Sequence, residues 1–262
     1  MRSRVLMGIL TFSLVFTTLS FASWLVLEER IVSHLAHVEV DPDQFEVNLE
    51  QARVTAEFDF SVIDELGLSG VIPYLDAEVS PIGEVIVPSG GIHLPIFHGV
   101  SEPHISLGAA TLTPDQRMGE GNYSLASHYM PFDGLLFGSL HEVEIGDLIV
   151  LRDATYLYLY NAISNEVVSA YLVEILDEIE GRTLVTLITC TSDGRERVAV
   201  QGEFISQVLI ADLTPDDLIQ GVKMMPLLEF EAVQFPKIEV ISAVVGSAIM
   251  ASLVTWKVDK KR

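Results

Sequence analysis

Between residues 83 and 210 the chain is cut into about eight short runs of β-branched and aromatic residues, apolar at every second position. Examples are Glu84-Val-Ile-Val, His93-Leu-Pro-Ile-Phe, Tyr123-Ser-Leu-Ala, Asp147-Leu-Ile-Val-Leu, Thr155-Tyr-Leu-Tyr-Leu-Tyr, Thr183-Leu-Val-Thr-Leu-Ile-Thr and Arg197-Val-Ala-Val. Gly, Pro, Asn and Asp lie between them, and no long helical stretch intervenes. Strands this short and numerous leave unpaired edges unless the sheet closes on itself. The predicted fold is therefore all-β, a closed eight-stranded barrel over residues 82–210 with short helices.

Residues 28–81 read as an external spacer, helical and solvated to about residue 63 and a Gly- and Pro-punctuated linker from residue 64. Residues 211–239 read as a second stalk. Two uncharged runs flank these segments. The first, residues 5–27, has 23 positions, enough for a helix to cross about 30 Å of hydrocarbon. The second, residues 240–256, has 17 and carries small residues such as Gly246 and Ala248 that suit a membrane helix. Arg2 and Arg4 in the tail 1–4, and Lys257, Lys260, Lys261 and Arg262 in the tail 257–262, favour cytoplasmic ends and an external middle. A cleaved signal peptide competes with the anchor reading of residues 5–27, because Ser20-Phe-Ala22 has a small-x-small pattern.

Charge narrows the partners. The 262 residues hold 37 acids and 15 bases, which excludes sequence-independent binding to nucleic acid. Residues 28–237 alone carry 35 acids and 9 bases, a net of −26. Such a surface keeps an external domain soluble, repels anionic headgroups and attracts basic partners.

The single cysteine, Cys190, excludes an internal disulfide and any Cys-rich metal site. Strand alternation places Leu184, Thr186, Ile188 and Cys190 on one face, and Val185, Leu187 and Thr189 on the other. A buried cysteine is ordinarily a small hydrophobe. As a nucleophile it needs a base or cation beside it. Three of the nine external bases, Arg182, Arg195 and Arg197, lie close to it in sequence, and period alone does not choose between Arg195 and Arg197. Of His34, His37, His93, His98, His104, His128 and His141, only His128 closes a strand-like run and then meets a turn, where a side chain reaches a groove from a fixed backbone.

These residues also carry a resemblance. The stretch 186–190, Thr-Leu-Ile-Thr-Cys, followed by Arg197-Val-Ala-Val, is similar to the TLxTC…R signature of sortases, cysteine transpeptidases of Gram-positive cell surfaces. Residues 119–130 resemble the histidine motif of class A sortases, and residues 82–88, 94–99 and 58–61 resemble that family's early strands and lead-in segment. The similarity is colinear from about residue 56 to residue 205. It implies catalytic roles for Cys190 and His128 and, because the arginine of the family precedes a strand ending in Lys/Gln-Gly, assigns Arg197 within Arg197-Val-Ala-Val-Gln-Gly202.

The resemblance further implies acyl transfer on a secreted protein bearing an LPxTG-like C-terminal signal, with an amine of a peptidoglycan precursor as acceptor and no metal or organic cofactor. It makes residues 167–179 the loop that shapes the signal's pocket, with Ala126, Val168, Ile175, Thr186, Ile188 and Thr189 as candidate substrate-binding residues. Some relatives use calcium before the histidine motif, where this chain offers only Asp115 and Glu120. A C-terminal span resembles class C pilin-polymerising sortases, but Asp41-Pro-Asp-Gln-Phe45 matches their aspartate-aromatic lid poorly, so class A-like anchoring is expected. The competing classes are a cysteine peptidase with water as acceptor and a catalytically silent, membrane-tethered barrel that binds a basic partner.

Overall fold

Eight strands close into one ring in this computed structural model, which describes residues 12–23, 40–60, 71–131 and 135–213. They are β1 (Gly83–Val87), β2 (Ile92–Phe97), β3 (Ala109–Thr111), β4 (Asn122–Ala126), β5 (Leu148–Arg152), β6 (Tyr156–Ser169), β7 (Leu184–Cys190) and β8 (Glu196–Leu209). The order around the ring is β1-β2-β3-β4-β7-β8-β6-β5, and β5 returns to β1 through Val85↔Leu151 and its neighbours. Two contacts are parallel, β2 with β3 and β4 with β7. A parallel pair needs a long connection. The first is made by a short helix, α3 (Glu102–Leu107), and the second by the excursion through β5 and β6. Among the described residues, α1 (residues 12–23) and α2 (Phe45–Thr55) precede the barrel.

Alternation decides what fills the barrel. Tyr123 and Leu125 of β4, Val185 and Leu187 of β7, and Val198 and Val200 of β8 turn inward and are buried. Tyr160 joins them, its ring edge-on to Phe204 at 5.5 Å and its hydroxyl accepting the Gly119 N–H at 2.9 Å. Gly202 lets β8 pass close to this packing. A Cβ there would lie 2.9 Å from Val185 Cγ1, 3.0 Å from Ile149 Cδ1 and 3.1 Å from Tyr160 Cβ.

The barrel predicted over residues 82–210 is present, and three details differ from expectation. β6 and β8 are longer than their apolar runs suggest, because they pair from Tyr156↔Leu209 to Ser169↔Glu196. Residues 167–169, expected in a loop, are therefore strand. The spacer helix ends at Thr55 rather than near residue 63. Beyond it Phe58 bridges Val100, with Val100 N donating to Glu57 O at 2.8 Å and Asp59 N to Val100 O at 3.2 Å. Sheet partners there outbid the helix. β3, three residues of Ala-Ala-Thr, has too little apolar pattern to announce itself.

The chain divides into two compact units, and the barrel lies in the one spanning Ser33–Leu228. α1 belongs to the other. It is the middle of the uncharged run 5–27, whose ends lie outside the described residues, as do residues 214–262 with most of the stalk, the run 240–256 and the basic tail. Among the described residues no helix is long and apolar enough to cross a membrane.

Candidate active site

The β4–β7 pairing brings the cysteine and histidine motifs to one end of the sheet. Ala126 pairs with Ile188, and the register continues past the strand end, where Ser127 N donates to Ile188 O at 3.2 Å. Thr189 Oγ1 then donates to Ser127 O at 2.9 Å. His128 and Cys190, one step further along each chain, therefore end at the same level.

Helix α3 fixes which side they face. Ile105 packs with Ala126, Ala110 and Leu112, and with the half-buried Ile188, on the face that Cys190 shares by alternation. The same helix turns its Ile105 carbonyl to the His128 N–H at 3.3 Å, and its Glu102 Oε2 lies 3.8 Å from His128 Nε2. Pro103 sits in the first turn, where its missing N–H costs no helical bond. Ser127 Oγ adds a bond to Gly108 O at 2.6 Å, and Phe137 N donates to His128 O at 3.2 Å. The imidazole thus hangs from a backbone held on three sides. Both Cys190 and His128 are buried, at 1% exposure each, in surroundings that strengthen any charge pair they form.

Arg197 is the cross-strand partner of Cys190, and Val168 is the partner of Arg197 on its other side. The three form one row. Arg197 is half-buried, with Nη1 donating to Gly194 O at 3.2 Å and Glu196 O at 3.1 Å, so its planar fork is tied to the β7–β8 turn next to the thiol. Arg195 is placed differently. It is exposed in that turn, with Nε 3.7 Å from Asp193 Oδ2. The Thr191 hydroxyl and the Arg195 N–H hold the Asp193 carboxyl below its ordinary range.

The candidate substrate residues separate into groups. Ala126 and Ile188 lie together on the α3 side, with Leu176 packed against them. Val168 stands in the Arg197 row, and Ile175 lies in the 3-10 turn Val173–Leu176. Thr186 is buried, donating to Asn122 Oδ1 at 2.7 Å and accepting from Gln201 Nε2 at 3.2 Å, so its hydroxyl is engaged within the barrel wall. Thr189 is not brought to the groove. It lies on the opposite face and serves as the tie to Ser127. Val167 likewise faces away, towards a cavity of about 550 Å³ between His141, Ile145, Asn165 and Val198.

Of the other histidines, His93 pairs with Glu84 at 2.7 Å. His98 meets Thr111, His104 meets the Gly99 carbonyl, and His141 is partly exposed on the Gly138 carbonyl. His34 and His37 lie outside the described residues. Asp115 and Glu120 are exposed in the β3–β4 loop, and no cluster of three metal-ligating side chains occurs among the described residues. Asp41 caps the turn ahead of α2 by accepting from Asp43 N, and Phe45 is buried, so both are occupied within the spacer. Glu102, Asn122 and Gln201 escaped the sequence reading. Asn122 lay inside the histidine motif and Gln201 on the Arg197 face, but only tertiary contacts show what they touch.

A thiol, an imidazole and a guanidinium gathered at one end of a closed barrel define a β-barrel cysteine enzyme. Comparison with known proteins makes the class specific. Residues 85–205 match the Sortase family, described as a sortase domain. Sortase A of Listeria monocytogenes serovar 1/2a is 34% identical over 138 residues, 52% of this chain and 61% of that protein. Sortase A of Bacillus anthracis is 34% identical over 149 residues, 56% of this chain and 70% of that protein. Among solved structures, sortase C-3 from Streptococcus pneumoniae gives a TM-score of 0.51 at 16% identity, covering 74% of this chain and 91% of that one, a likeness of fold. The chain belongs to the sortase family, a family of cysteine transpeptidases.

Proposed function

We propose that this chain cleaves an LPxTG-like sorting signal between Thr and Gly and joins the released threonine to an amine of a peptidoglycan precursor. The observation that carries this reading is the single row of Val168, Arg197 and Cys190 on three adjacent strands, with His128 at the same end of β4. In the first half-reaction the Cys190 thiolate attacks the threonine carbonyl carbon. Arg197 donates to the oxygen that gains negative charge, or to a neighbouring carbonyl of the signal. The imidazolium of His128 gives its proton to the departing glycine nitrogen, the C–N bond breaks, and a thioester remains. In the second, an incoming amine loses its proton to His128, attacks the thioester and releases the Cys190 thiolate. The Glu102 carboxyl, 3.8 Å from His128 Nε2, stands beside the ring nitrogen that would carry the proton.

The same reading places the enzyme at the outer face of a Gram-positive membrane, held through residues 5–27 and 240–256. The flanking bases support it. So does α1, which exposes Phe12, Phe16, Leu19 and Phe21, while Thr17 and Thr18 turn their hydroxyls back onto their own helix. The testing experiment incubates the purified protein with an LPxTG peptide, with and without an amine. Formation of the amide product, dependent on Cys190, supports the transpeptidase. Cleavage that ignores the amine assigns a peptidase instead, and no cleavage with salt-sensitive binding of a basic partner assigns a silent barrel.

A further inference from the structure

The turn Val173–Leu176 between β6 and β7 is tied to the barrel wall by side chains from three neighbouring strands. Asn122 Nδ2 donates to Ile175 O at 3.0 Å and to Asp177 O at 3.3 Å. Gln201 Nε2 donates to the same Ile175 carbonyl at 3.3 Å and to Thr186 Oγ1 at 3.2 Å. Thr186 passes the chain on, donating to Asn122 Oδ1 at 2.7 Å. The direction of these bonds matters. With its oxygen occupied by Thr186, the Asn122 amide has both N–H groups free to face the turn, so one hydroxyl orients the whole set.

Two further contacts show how close the turn lies. Leu176 packs on the cluster that contains Ala126 and Ile188, two residues before Cys190. At the head of β4, Gly121 has φ +54°, and a Cβ there would meet Glu178 Oε1 at 2.5 Å, so the segment after the turn rests on bare backbone.

We infer that Asn122, Thr186 and Gln201 form a latch that holds this turn over the groove floor, so that the wall of the peptide cleft stands before the signal arrives. The inference rests on the peptide-transferring function proposed above, and it makes the three residues positioning residues. A cleft wall already in place spares the peptide the work of ordering a loop, which tightens binding without touching the reacting atoms. Loss of the latch therefore weakens peptide binding and leaves the chemical step alone.

The test compares the full chain with Asn122→Ala and Gln201→Ala. For an LPxTG peptide and a saturating amine, KM rises about tenfold in each variant while kcat stays within about twofold, the scale of one or two lost hydrogen bonds. Independently of any activity, amide hydrogen exchange across residues 171–182 speeds up, while that of β4 and β7 does not. Gln201 is half-buried, so its variant keeps the test open should Asn122→Ala fail to fold. Unchanged exchange in residues 171–182 overturns the latch, as does a fall in kcat with KM unmoved. If the parent chain transfers no peptide, the proposed function fails, yet the exchange result still decides whether the latch exists.

Discussion

Oε2 of Glu102 lies 3.8 Å from Nε2 of His128, on the short helix whose Ile105 carbonyl accepts the His128 N–H. One element thus fixes both the position and the electrostatic surroundings of the imidazole. Glu102→Gln keeps the shape of the side chain and removes its charge, and because that side chain is 33% exposed the expected fall in kcat/KM is small, about two- to fivefold. Steady-state peptide-cleavage rates check it, and an unchanged kcat/KM shows that Glu102 does not act on the ring.

Arg197 supplies a fork of donors next to the thiol, and its Nη1 is held by the turn carbonyls of Gly194 and Glu196. Arg197→Ala is expected to lower kcat/KM by about 10²–10³-fold, the scale of a lost oxyanion donor. Arg197→Lys recovers little, because an ammonium lacks the planar pair of donors. Arg195→Ala, altering an exposed turn, changes neither rate nor stability appreciably. Steady-state kinetics on the three variants separates the two arginines.

Acid loosens the seat of α3 before it reaches the carboxylates. Burial depresses both His98 and His104 below the ordinary 6.5, with Arg53 and His104 adding to the effect at His98, while the Gly99 carbonyl partly offsets it at His104. The unfolded chain therefore takes up protons first. The stability tied to these neutral rings is complete above pH 6.5 and is lost as pH falls through their lower folded values. His104 stacks on Phe97 at 5.1 Å, so His104→Gln lowers stability at pH 8 but flattens its decline towards pH 5. Thermal unfolding across that range measures both effects.

Gly202→Ala adds a methyl group where the inward face of β8 meets Val185, Ile149 and Tyr160 at 2.9–3.1 Å. Overpacking of this kind destabilises by about 1–3 kcal/mol. Denaturant unfolding checks the expectation, and an unchanged midpoint shows that the barrel interior yields more easily than its packing suggests.

The barrel was legible because period-two alternation is a local property, and Val185, Leu187, Thr186 and Ile188 report their faces without tertiary information. The end of α2 was not legible. Residues 56–60 leave the helix for bonds to Val100, a partner more than forty residues away that no local pattern announces. The catalytic candidates Cys190 and His128 stood out as a lone thiol and a strand-end imidazole, and the motif resemblance joined them. Thr189 shows the opposite case, since the family resemblance made it a candidate for the groove while its own parity sends it to the other face. Glu102, Asn122 and Gln201 are ordinary polar residues in sequence, and their meaning comes only from the side chains and carbonyls folded against them.

The thioester on Cys190 is open to intact-protein mass spectrometry after brief exposure to an LPxTG peptide. The expected result is an added mass equal to the signal up to its threonine, located on Cys190, absent from Cys190→Ala and discharged when an amine is supplied. An unmodified Cys190 in protein that is folded and saturated with peptide, or the same adduct in Cys190→Ala, contradicts it.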